Sequence, residues 1–201
     1  MAQQITTIGG GSLPNNPASS LGFQGGGPEG AAWVQEISGK FYAMARAGRV
    51  FSASALVAGV TIPVNTATAM TFGIFNPAGS GINVELCRFA VGTVAAGVAT
   101  IGTFLATLSK QLPSSVTAAV NTVNPMSGQA PSATAFTVAT FVASTQHIPL
   151  ISSFATSSQN AQVYDFDGLL VLPPGWAMAI TSSPVQSAVN MPSLFWAEHP
   201  Q

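Results

Sequence analysis

The chain has 201 residues, and only 5% of them are Asp, Glu, Lys or Arg, against about 25% in an ordinary soluble protein. Five basic and six acidic side chains leave a net charge of −1 and no basic face for a phosphate backbone, which argues against nucleic acid as a partner. A single cysteine excludes an internal disulfide, and 47% hydrophobic residues under so little charge predict association with other copies or other proteins.

The first residues, Met1 to Gly10, carry neither a basic region nor an apolar core, so no signal peptide is expected. Residues 1–32 read as a flexible or partner-ordered arm. Gly9-Gly10-Gly11, Asn15-Asn16-Pro17 and Gly25-Gly26-Gly27-Pro28 leave too few large apolar side chains to close a core. Ile5, Leu13, Leu21 and Phe23 are spaced through the arm as isolated anchors for a neighbouring subunit.

Residues 33–201 read as the folded domain. Lys40–Ala55 reads as two strands around Gly48, and Gly59–Val64 as another short one. In Met70–Val91, Phe72 and Ile74, then Ile82, Val84 and Leu86, recur at every second position. Between them Asn76-Pro77-Ala78-Gly79-Ser80-Gly81 has the residues of a chain reversal, so the pattern predicts a β-hairpin. After Leu86 the apolar phase moves to Phe89 and Val91, which calls for a bulge near Cys87-Arg88 or a strand passing from one sheet to the next. Phe89–Ser109 is uncharged over a membrane-spanning length, but Gly92, Gly97, Gly102 and its threonines favour strand over a membrane helix.

Leu112–Pro131 reads as a long loop with one strand, Val116–Val123. Ala135–Val142 alternates through Phe136 and Val138, and Ile148–Phe154 follows His147 as a short strand. Leu169 to Leu172 is apolar at every position and predicts burial on both faces. Pro173-Pro174-Gly175 turns the chain, after which Trp176, Met178 and Ile180 alternate. Ser193–Glu198 closes the chain with Leu194 and Trp196 on one face. About eight to ten short strands without a helix predict an all-β, two-sheet β-sandwich or jelly roll.

Chemistry-bearing clusters are scarce. His147 and His199 stand apart and suit hydrogen-bonded structural roles better than metal ligation. Asp165, Asp167 and Gly168 resemble a fragment of a calcium loop without enough oxygens to complete it. Glu85, Arg88 and Arg46 are expected to form a structural ion-pair set. Gly79-Ser80-Gly81 is no nucleophile elbow and Gly9–Gly11 no phosphate loop. The expectation is therefore a protein without catalytic, cofactor-binding or metal residues, and not an enzyme. Tyr164 and Trp176 are the aromatic side chains that could face a glycan.

The runs IFNPAGSGINVELCRFAVG and DFDGLLVLPPGWAMAI and the closing SLFWAE, spread over Phe72–Glu198, resemble small jelly-roll structural proteins of tailed bacteriophages. These are capsid decoration or cement proteins and related virion components. The resemblance implies a homotrimer on the capsid surface, bound over junctions of the major capsid protein, with no active site. It leaves open a trimeric receptor- or glycan-binding module of a phage tail or fibre, since modules like tumour necrosis factor or C1q share that design.

Overall fold

The computed structural model describes residues 25–26, 32–33 and 41–201, apart from 56–57, 96–101, 119–123, 125–127, 129, 142–145, 154–160 and 185. The chain divides into two units, Met1–Ala47 and Gly48–Gln201. In the first, β1 (Gly25–Gly26) pairs antiparallel with β2 (Ala32–Trp33), and Tyr42–Arg46 forms a short helix, α1. This helix stands where the sequence predicted the first of two strands. Ala43, Met44, Ala45 and Arg46 are strong helix formers, and Ala45 N–H donates to the Phe41 carbonyl at 2.8 Å. Ile5, Leu13, Leu21 and Phe23 lie outside the described residues.

The second unit is built from β3 (Val50–Ser54), β4 (Val60–Thr61), β5 (Ala69–Met70), β6 (Gly73–Phe75), β7 (Ile82–Ala95), β8 (Gly102–Ser109) and β9 (Ser114–Ala118). There follow β10 (Thr134–Thr140), β11 (Gln146–Ser153), β12 (Gln162–Asp165), β13 (Val171–Leu172), β14 (Ala177–Ser183) and β15 (Val189–Pro200). They form two antiparallel sheets. Sheet I runs β12-β7-β15-β3, with β13 against β7 and β4 against β15. Sheet II runs β11-β8-β14-β6-β10-β5, with β9 against β10. Take β3, β6, β7, β8, β11, β12, β14 and β15 as eight successive strands. Sheet I then holds the first, eighth, third and sixth, and sheet II the second, seventh, fourth and fifth. That order is the jelly roll expected from the sequence.

Two predicted reversals join sheets instead of making hairpins. The arms around Asn76–Gly81 alternate as expected, with Phe72, Ile74, Val84 and Leu86 all fully buried. They do not pair with each other, because both edges of β6 are taken, by β14 and by β10. The chain instead crosses from β6 in sheet II to β7 in sheet I. Pro173–Gly175 makes the return crossing, from β13 to β14.

The phase change in β7 is a bulge. Trp196 faces Leu86 and Phe195 faces Arg88, so Cys87 is the extra residue, and Phe89 and Val91 return to the core side. Between the sheets Trp196 stacks on Phe51 with ring centroids 5.9 Å apart, and Phe89 meets Phe104 edge to face at 6.2 Å. On the other face of sheet II, Met70, Phe136, Ala139 and Phe141 pack with Ala177 and Ala179. Phe136 lies across Gly73, where any Cβ would run into its ring and the Met178 carbonyl.

β14 is therefore the strand buried on both faces, and Leu169–Leu172 is not. Leu170 and Leu172 point into the core, while Leu169 is 84% exposed and Val171 47%. The run ends in a two-residue edge strand, Val171–Leu172, with one face open to solvent. Likewise Phe136 is buried but Val138 is exposed, because the β9–β10 register shifts between them. The strand predicted at Val116–Val123 begins at Ser114, and His147 lies within β11 instead of the loop before it.

Candidate interaction surface

The outward face of sheet I is set by the registers of β15, β7 and β12. Directly paired residues share a face, so Phe195, Arg88 and Asp165 form one row, and Ser193, Ala90 and Val163 the next. Val171 stands beside Glu85 on β13, and Met191 lies two residues along β15 from Ser193. Large apolar side chains open to solvent here: Val163 is 51% exposed, Met191 40% and Phe195 38%. Small side chains between them, Ala90 and Ser193 with Gly92 beyond, keep the face low.

The charges on this face are satisfied within the chain. Arg88 Nε donates to Asp165 Oδ1 at 2.6 Å and Arg88 Nη2 to Asp165 Oδ2 at 3.3 Å, a two-pronged cross-strand pair. The Asp165 hydrogen bond, then its charge, raises the Arg88 guanidinium further above its ordinary value. Glu85 Oε2 lies 2.7 Å from His199 Nε2. The Glu85–Arg88 pairing expected from the sequence is thus replaced. The bulge at Cys87 separates the two along the strand, and each finds its partner elsewhere, Arg88 on β12 and Glu85 on β15. Arg46 belongs to α1 in the first unit.

Tyr164 on β12 and Trp176 in the link between β13 and β14, the aromatic candidates, are each partly buried against the core. Tyr164 packs its edge on Phe166 with centroids 5.2 Å apart. Lys110 Nζ stands 5.3 Å from the centre of the Trp176 ring. His147 Nδ1 lies 2.9 Å from Thr107 Oγ1, which in turn lies 2.7 Å from Thr181 Oγ1.

Two residues not singled out from the sequence hold the sandwich together. Asn76 is fully buried where the two sheet-to-sheet crossings meet. Its Nδ2 donates to the carbonyls of Ile82 (2.9 Å) and Leu172 (3.0 Å), and its Oδ1 accepts from Ser80 Oγ (2.6 Å). Its backbone N–H donates to the Trp176 carbonyl and its carbonyl accepts from Gly175 N–H, each at 2.9 Å. Gly175, at φ 84°, supplies the left-handed turn that aims that N–H. The second residue is Glu198, buried at the edge of the core. Its Oε2 accepts from Ser132 N–H (3.0 Å), and its Oε1 from Ala133 N–H (2.9 Å) and the Trp196 indole (3.4 Å). The carboxylate thus ties β15 of sheet I to the residues that lead into β10 of sheet II. The alternation Leu194, Trp196, Glu198 was the signal that placed it inward.

Among the described residues no group of three or more His, Cys, Asp or Glu side chains could hold a metal ion. Among them, too, no helix is long and apolar enough to cross a membrane. Neither protein-family models, nor curated proteins, nor solved structures give a match to this chain.

Proposed function

We propose that this chain is a structural virion protein that decorates a tailed-bacteriophage capsid, seated over junctions between capsid subunits and stabilising the head. Its partners are other copies of itself, in the homotrimer that the resemblance implies, and the major capsid protein. One observation carries this reading: a sheet face where Arg88 pairs with Asp165 and Glu85 with His199 while Val163, Met191 and Phe195 open to solvent. Large apolar side chains gathered on one sheet face suit a surface that another protein covers. The jelly-roll strand order supports the reading, and so does the low charge.

The test is quantitative recovery from gradient-purified particles. The protein should co-purify in a fixed ratio to the major capsid protein and be released by denaturant before the shell falls apart. Its absence from clean particles, with the protein remaining in the host lysate, would end this assignment.

A further inference from the structure

We propose that the outward face of sheet I pairs with the same face of a second copy across a two-fold axis. An isologous contact requires a patch that complements itself. Arg88 on β7 and Asp165 on β12, the end strand of sheet I, stand side by side on this face, each side chain about half exposed, 52% and 47%. A two-fold axis running along the strands over the midpoint of the pair sets each Arg88 opposite the other copy's Asp165. Four charges then alternate in a square. A patch of one sign would instead repel its own copy. The same axis keeps the strands of the two sheets aligned, the arrangement in which twisted sheets pack face to face. Val163 of one copy then meets Ala90 of the other, whose small side chain leaves it room. Phe195, one strand further from the axis, extends past the other copy's β12, the end strand of sheet I, and Leu169, four residues after β12, is 84% exposed.

A foreign partner would need to carry its own matching acid–base pair between apolar rows. The second copy supplies that pattern without further assumption. The contact assigns a second copy to the same face on which the virion reading rests, and association in solution tests it apart from recovery on particles and from the three-fold. By itself it yields a dimer, and joined to a trimer it yields a hexamer.

The test uses three variants of the full chain in sedimentation velocity. Arg88→Asp sets two acidic side chains at the proposed axis and Asp165→Arg sets two basic ones there. Each alone should lose the two-fold step, with association weakened about tenfold or more by facing like charges. An equimolar mixture of the two should recover it, because unlike faces now meet, although neither chain regains its internal pair. The swapped double variant, Arg88→Asp with Asp165→Arg, should associate as the wild type does. Cooperative thermal melts and a wild-type far-ultraviolet circular dichroism spectrum establish that the single variants are folded. A wild type without an even-numbered step, single variants that associate normally, or a mixture that fails to recover would each overturn the two-fold contact.

Discussion

Replacing Asn76 with alanine tests how the two sheets are joined. The side chain makes three hydrogen bonds, two donated by Nδ2 and one accepted by Oδ1. At about 1 kcal/mol net for each, their loss costs about 3 kcal/mol. The Leu172 carbonyl is buried, so leaving it without that donor adds a desolvation penalty of about 1–3 kcal/mol unless water reaches it. The expected loss is therefore about 3–6 kcal/mol, a large share of a typical domain's 5–15. Ser80→Ala removes one of the three bonds and should cost about 1 kcal/mol. Asn76→Asp keeps the acceptor, removes both donors and sets a carboxylate against two carbonyls, so it should cost at least as much as Asn76→Ala. Urea unfolding at a single protein concentration, with unchanged slope, reads all three, since self-association shifts the midpoint by mass action. An Asn76→Ala midpoint near that of the wild type, or a Ser80→Ala cost equal to it, would refute the idea that Asn76 links the crossings.

Leu86 and Trp196 are fully buried on facing rungs of β7 and β15. Leu86→Ala should cost about 2–5 kcal/mol and Trp196→Ala about 3–5 by the same assay, and unchanged midpoints would mean the strand phases are wrong. Cys87 is buried at the bulge, so a thiol reagent should label native protein far more slowly than unfolded protein; equal rates would place it at the surface. Glu198→Gln sets an amide N–H₂ against a backbone N–H and should cost about 1–3 kcal/mol, with faster amide exchange at Ala133. Exchange at Ala133 unchanged from wild type would remove Glu198 from its role as the tie between sheets.

Local patterning carried much of the fold. Period-two alternation located the core residues of β7 and β15, and the slip from Leu86 to Phe89 marked the bulge at Cys87. Pairing was less legible. Asn76–Gly81 has the chemistry of a reversal, but turn residues do not say whether the next strand joins the same sheet. That is decided by β10 and β14, which lie more than fifty residues on and occupy both edges of β6. The run Leu169–Leu172 misled because hydrophobicity alone cannot reveal that an edge strand leaves one face open. The helix at Tyr42–Arg46 was hidden by its length, a turn and a half with no room for periodicity. The outward face of sheet I could not be read from the sequence at all. Val163, Arg88 and Phe195 become neighbours only once three distant strands are in register.

The most direct test of the structural-virion account is a cryo-electron microscopy reconstruction of particles from a host that makes this protein, compared with particles lacking its gene. The account predicts jelly-roll-shaped density over the junctions between capsid subunits, absent from the deletion particles, which should also lose their contents at lower temperature. Identical capsids in the two reconstructions, with equal thermal stability, would contradict it.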